Sequence, residues 1–230
     1  MSVSAPSANW AAGGTALFLR ALDDLGDHEL DAPSTLPGWT RRHLVAHVAS
    51  NAEGIGRLVS WARTGQATPM YASPRQRTDD IASGALRSAR QLRTWAHGSA
   101  AELAGAFSAM PDSAWRAHVV TAQRRTVPAT ELPWLRAREV LVHSVDLDTG
   151  ITFADMPAAF VHALISDVTV RRSEHGDGPS LSLEARDTAA TWQVTGRGEA
   201  VHVSLPAPEL VGWLTGRMTR PELPVLRRWL

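Results

Sequence analysis

Apolar residues recur at three- and four-residue steps through the first two thirds of the chain, the spacing of a buried helical face. Residues 8–25 carry Trp10, Leu17, Phe18, Ala21, Leu22 and Leu25 in that pattern, with Gly13 and Gly14 weakening the middle of the predicted helix. The turn-forming residues from Asp31 to Gly38 predict a loop. Thr40 then suits the N-cap of a second helix and Gly65 its C-terminal stop. Between them Leu44, Val48, Ala52, Ile55, Val59 and Ala62 form one stripe. The segment Thr64–Pro74 reads as a loop, either functional or a connector whose Met70 and Tyr71 plug the end of a bundle. Residues 79–109 predict a third helix through Ala85, Ala89, Leu92, Ala96, Leu103 and Phe107, with Gly84, Gly98 and Gly105 as weak points. β-Branched runs on either side of Gln123-Arg-Arg125 predict a small hairpin within 118–128. A fourth helix follows over Trp134–Asp148, with Thr130 as a cap and Pro133 in the first turn. Four such helices pack most simply as a bundle.

Gly150 marks a change of pattern. Residues 156–172 are amphipathic through Phe160, Val161, Leu164, Ile165 and Val168, and three period-two runs follow, Leu181–Ala185, Thr191–Thr195 and Ala200–Ser204. Pro208 opens a short helix closed by Gly216. The expected fold class is therefore mainly α with a small α+β part. Residues 1–150 form the helical bundle, and 151–230 form a unit too small to be robust alone, expected to pack on the bundle.

The fourth helix carries the chemistry. Glu139 and His143 lie four apart and leave one face, one turn from each other. Leu135, Val140, Leu141, Val142, Val145 and Leu147 surround them, so the helix is apolar nearly all round and belongs to an interior. A carboxylate and an imidazole in an interior need a partner that offsets their desolvation. On the second helix His47 sits among Val45, Ala46, Val48 and Ala49 and points inward. Three such groups on two facing helices suit a divalent metal with one open position. The residues alone also fit a plainer reading, in which His47 is a hydrogen-bonded core histidine and Glu139–His143 an intrahelical pair.

Composition narrows the options. The formal net charge is zero and the pI is about 7.2, so no nucleic-acid footprint is expected. No apolar run is long enough to span a bilayer and the N-terminal residues lack a signal-peptide pattern, so the expected location is cytoplasmic. Cysteine is absent, which rules out thiolate ligands and a protein thiol nucleophile; sulfur chemistry would need a thiol from outside. All 23 basic residues are arginine, so no Schiff-base lysine exists and guanidinium is the main anchor for anions.

Several stretches carry a resemblance: Leu36-Pro-Gly-Trp-Thr-Arg-Arg-His-Leu-Val-Ala-His47, Thr68-Pro-Met-Tyr-Ala-Ser-Pro74, Thr126-Val-Pro-Ala129, Arg138-Glu-Val-Leu-Val-His-Ser-Val-Asp-Leu147, Trp213-Leu-Thr-Gly-Arg217 and Arg228-Trp-Leu230. Together they resemble the mycothiol-dependent maleylpyruvate isomerase family across essentially the whole chain. The first and fourth are shared by a wider DinB-like superfamily of metal-binding bundles. The resemblance implies a DinB-like four-helix bundle followed by a sterol-carrier-protein-like α+β domain. It implies His47, Glu139 and His143 as ligands of zinc or another divalent metal, mycothiol as thiol cofactor, and Arg217 as a catalytic arginine. It also implies the reaction, cis–trans isomerisation of maleylpyruvate to fumarylpyruvate in the gentisate route of aromatic breakdown. One departure is Arg124, where the family more often carries a small residue. From residues alone, Arg217 after a helix end reads as a helix-end stabiliser.

Tyr71, Gln123 and Arg125 are candidate contacts for the thiol cofactor by loop position. The rival readings are a mycothiol S-transferase or detoxification enzyme on the same scaffold, and a non-catalytic small-molecule-binding module. The expected partners are maleylpyruvate and mycothiol, with no nucleic acid or membrane. The oligomeric state is not legible, and a monomer is compatible with the sequence.

Overall fold

The computed structural model describes residues 5–227 and 229. It divides into two compact units that meet in sequence between Thr149 and Gly150.

The first unit contains α1 (Ala5–Asp24), α2 (Arg41–Thr64), α3 (Pro74–Ala85), α4 (Ala89–Ser108) and α5 (Leu132–Asp146), with a two-stranded ribbon before α5. α1 packs on α5 and α4, and α2 packs on α4 and α5, so these four close into a ring, with the short α3 laid against α2. α2 begins and ends where its sequence predicts. Thr40 is extended at the N-cap, and Gly65, at φ 75°, returns its N–H to the Trp61 carbonyl. Its stripe from Leu44 to Ala62 is buried throughout. Ala52, Ile55, Leu58 and Val59 join Met70, Leu103, Met110, Trp115, Val127 and Leu132 in one core cluster, with Tyr71 packed at its edge. Met70 therefore does close the core.

Three expectations change. The stripe over 79–109 is two helices, because residues 86–88 break it and Ser88 restarts it. The Ser88 hydroxyl accepts from Gln91 N–H, and the Gln91 side chain accepts from Ser88 N–H in return. Pro74 opens α3 after Ser73, whose hydroxyl caps Gln76 N–H, so the supposed loop end is a helix start. At α5, Glu131 rather than Thr130 is the N-cap, preceded by a short 3-10 turn over Ala129–Glu131. The hairpin forms as expected, His118–Val120 (β1) antiparallel to Thr126–Pro128 (β2). Arg124 occupies its turn at φ 60°, a left-handed position where a small residue costs less.

Gly14, expected to weaken α1, is a contact point. A Cβ there would lie 2.6 Å from Leu141 Cγ and 2.8 Å from Val140 Cγ2. The bare backbone lets α1 press on α5 directly behind Glu139. Trp10 and Trp134 meet edge to face across the same pair of helices, with centroids 6.0 Å apart.

The second unit holds α6 (Ala158–His175), β3 (Pro179–Ala185), β4 (Ala190–Val194), β5 (Arg197–Leu205) and α7 (Ala207–Leu214). Strand order is β4-β3-β5, with β4 antiparallel and β5 parallel to β3. The chain must therefore cross from one side of β3 to the other between residues 194 and 197. Gly196 permits this, since a Cβ there would stand 2.4 Å from the Gly178 carbonyl oxygen. Leu181, Leu183, Ala185, Val194 and Val203 are the buried strand positions, and α6 and α7 pack on the sheet. All three expected strands form, and burial alternates with period two along β3 and β4, whereas in β5 only Val203 is buried and Ala200, Val201 and His202 are all exposed. No helix among the described residues is long and apolar enough to cross a membrane.

Gly14→Ala should lower the stability of the protein by about 1–3 kcal/mol, because overpacking against α5 outweighs the helix-propensity gain. Urea denaturation checks it; an equal or raised midpoint would contradict the close-approach role.

Candidate metal centre

The buried stripe of α2 and the nearly all-buried α5 bring three side chains to one point. His47 Nε2 lies 3.1 Å from Glu139 Oε2 and 3.2 Å from His143 Nε2, and the third side of the triangle, His143 Nε2 to Glu139 Oε2, is 3.5 Å. Two imidazole nitrogens and a carboxylate oxygen thus face one another away from bulk water. Neighbouring ligand atoms around a tetrahedral ion bonded at about 2.0–2.1 Å stand about 3.3–3.4 Å apart, which matches this triangle. The donor set, with no sulfur, fits zinc or another borderline divalent ion. Among the described residues it is the one group of His and carboxylate side chains that could hold a metal.

The electrostatics point the same way. Burial drives the His47 imidazole down to about 4, against the pull of Glu139, so it is neutral at pH 7 with a lone pair to give. Burial disfavours the Glu139 carboxylate, but hydrogen bonds from His143 and His47 outweigh that and hold it well below the usual carboxylate range. Burial also opposes charge on His143, yet the hydrogen bonds to Asp146 and Glu139 prevail and raise its pKa. Hydrogen bonds link the three groups, and a divalent cation bound there would take the place of their shared protons.

Several neighbours were not foreseen. Asp146, fully buried, accepts from His143 Nδ1 at 2.8 Å. Trp39 stands edge-on to the His47 ring, centroids 5.5 Å apart. Arg77 on α3 brings Nη2 to 3.4 Å from His47 Nδ1. Arg136, one turn before Glu139, is buried and its Nη1 donates to the Val48 carbonyl at 2.9 Å and to Asn51 Oδ1 at 3.0 Å. Burial lowers its pKa to about 10, still charged at neutral pH. It spans from α5 to α2, the two helices that carry the candidate ligands. The i,i+3 spacing of His143 and Asp146 was a readable signal; the other contacts join segments far apart in sequence.

The remaining candidates scatter. Tyr71 is half-buried, with the Arg57 guanidinium carbon 5.9 Å from its ring centre. Burial raises its phenol pKa, and Arg77 and Glu139 are close enough to act on it electrostatically, so it borders the triangle. Gln123 and Arg125 are exposed at the hairpin turn. Arg217 belongs to the second unit, just after α7, where Nη1 donates to the Thr215 carbonyl at 2.7 Å, the helix-end contact its position suggests. Of the closing Arg228-Trp-Leu230 stretch, only Trp229 lies within the described residues; its ring centre is 5.8 Å from the Arg217 guanidinium carbon.

The described residues thus form a four-helix ring with a largely buried His–Glu–His triangle, followed by a small α+β unit. Residues 11–148 match the family model described as the mycothiol maleylpyruvate isomerase N-terminal domain. The chain is similar to a crystal structure of a mycothiol-dependent maleylpyruvate isomerase, at 36% identity and TM-score 0.94 over 97% of this chain and 96% of that one. A histidine-to-alanine variant of such an isomerase matches at 35% identity and TM-score 0.93, over 97% and 96% of the two chains. Comparison with the curated proteins gives no match. The chain belongs to the mycothiol-dependent maleylpyruvate isomerase family and is an enzyme of the isomerase class.

Arg136→Ala would leave Asn51 and the Val48 carbonyl without their donor and open a cavity between α2 and α5. It should cost about 2–4 kcal/mol of stability, read by urea denaturation. A cost below about 0.5 kcal/mol would show that Arg136 does not brace the two helices.

Proposed function

We propose that the protein isomerises maleylpyruvate to fumarylpyruvate with mycothiol as thiol cofactor, using a divalent metal, zinc in the first instance, held by His47, Glu139 and His143. The observation that carries this reading is the triangle of two imidazole nitrogens and one carboxylate oxygen, with sides of 3.1–3.5 Å, in a chain similar over nearly its whole length to such isomerases.

The chemistry follows from the bond that must turn. A cis C=C cannot rotate while the π bond persists. Addition of a thiolate to one alkene carbon leaves a C–C single bond that rotates freely; expulsion of the same thiolate restores the double bond in the trans form. The chain has no cysteine, so the sulfur must arrive on a separate molecule. A divalent ion bound at the triangle would supply Lewis acidity, lowering a thiol pKa or polarising the keto-enol oxygen. His47 contributes a neutral Nε2 because burial keeps it unprotonated. Glu139 contributes the negative charge that offsets the cation. Arg217 is proposed as the clamp for a substrate carboxylate, a task for which paired N–H donors suit guanidinium. Tyr71, at the edge of the triangle, is a proposed contact for the thiol, with Gln123 and Arg125 as more distant candidates. A cytoplasmic location is proposed with this reading.

Three experiments test it. Incubation with mycothiol and maleylpyruvate should convert the substrate to its trans isomer, followed by ultraviolet absorbance. Accumulation of a stable S-conjugate would instead indicate a transferase on the same scaffold. Elemental analysis should find about one metal per chain, and His47→Ala should lose both metal and turnover. The loss should exceed the roughly 10- to 100-fold that removal of an outer partner costs. A metal-free His47→Ala protein with full activity would overturn the mechanism. Arg217→Lys, which keeps the charge but not the fork, should lower kcat/KM about tenfold or more while leaving metal content unchanged.

A further inference from the structure

We propose that the Thr35–Trp39 loop is the positioning element of the metal centre, setting His143 through a Thr35–Asp146 relay and His47 through the Trp39 ring. The inference rests on the metal reading above.

Asp146 is completely buried, and each carboxylate oxygen has its own partner. Oδ2 accepts from His143 Nδ1 at 2.8 Å and Oδ1 accepts from the Thr35 hydroxyl at 2.7 Å. A second bond, Thr35 N–H to the Asp146 carbonyl at 3.1 Å, holds the two residues side by side. The consequence for His143 is chemical as well as geometric. A carboxylate only accepts, so Nδ1 must carry the proton, and Nε2 keeps its lone pair for the point it shares with His47 and Glu139. A carboxylate behind an imidazole also makes that imidazole a better donor to a cation. The Thr35 hydroxyl fixes which way the carboxylate plane faces.

Trp39 treats the other histidine. Its ring meets His47 at 68°, edge to face, and blocks rotation of the imidazole on that side. The loop that presents both residues is itself tied down. Ser34 N–H donates to the Trp39 carbonyl at 2.9 Å, Trp39 N–H donates to the Leu36 carbonyl at 3.1 Å, and Gly38 takes φ 77° to close the turn. Arg41, at the start of α2, donates to the Leu147 and Asp148 carbonyls at the end of α5, both at 2.7 Å. The Leu36-Pro-Gly-Trp39 motif thus joins the start of one ligand-bearing helix to the end of the other. That arrangement accounts for a motif no step of the proposed chemistry uses.

The test is cobalt(II) titration of the metal-free protein, read by the visible d–d absorption, with circular dichroism as the check on folding. Asp146→Asn puts an amide N–H against either His143 or Thr35. It should weaken Co(II) binding roughly 10- to 100-fold and shift the absorption band. Thr35→Val keeps the shape of the side chain and should move affinity and band in the same direction by less. Wild-type affinity and spectrum in both variants would overturn the inference while leaving the metal reading intact. Should Asp146→Asn fail to fold, Thr35→Val decides alone. If the wild-type protein binds no Co(II), or binds it no more tightly than His47→Ala does, the metal reading itself fails, and the positioning role with it.

Discussion

The contact between α2 and α5 is the constraint on which this molecule depends. Three polar atoms on two helices must stand within 3.1–3.5 Å of each other in an interior. Apolar packing between helices is non-directional and does not by itself aim polar atoms at one point, as the triangle requires. The protein therefore adds directional bonds to the apolar packing. Arg136 crosses from α5 to the Val48 carbonyl and Asn51 on α2, and Arg41 crosses from the start of α2 to the last carbonyls of α5. Gly14 lets α1 back α5 at van der Waals range. The result is a helix braced from both sides at the turn that carries Glu139.

That bracing has a physical cost, because α5 buries Arg136, Arg138, Ser144 and Asp146 as well as carrying Glu139 and His143. Each would be destabilising alone in an apolar interior. They are tolerable because they answer one another: Asp146 with His143 and Thr35, Glu139 with both imidazoles, Ser144 with the Val140 carbonyl. The arrangement favours geometry over stability, a usual compromise where a site must be preorganised.

How far the sequence revealed this varies with the range of the interaction. Thr40, Gly65 and the apolar stripe between them located α2 to the residue, because caps and periodicity are local signals. The spacing of Glu139 and His143 and the inward face of His47 located the triangle, since helical period fixes which side chains share a face. The break between α3 and α4 was missed because the alanine stripe continues through it, and the Ser88–Gln91 capping box lies inside that stripe. Thr130 was a plausible cap in isolation, but an added 3-10 turn moved the helix start past it. Thr35 was beyond reach for a different reason: it lies 111 residues from Asp146, and nothing local marks the pair. Arg136 is likewise joined to partners 88 and 85 residues away, the Val48 carbonyl and Asn51.

The electrostatic state of the triangle gives the last link between stability and function. A neutral His47, an ionised Glu139 and a His143 inclined to protonate share one small volume. Their hydrogen bonds satisfy one another only through a particular placement of protons. On the proposed reading, a divalent ion would need the same atoms with those protons gone, so uptake of metal and release of protons would be one event. Because the unfolded chain cannot assemble the triangle, an ion that binds only the folded form adds to its stability by mass action. On the proposed reading, the polar interior of α5 is then a preformed receptor whose desolvation is already spent, and binding the ion recovers part of it. On that reading a cysteine facing the site would be a fourth ligand and would close the position left for the substrate or its thiol partner, which fits a reactive sulfur supplied from outside.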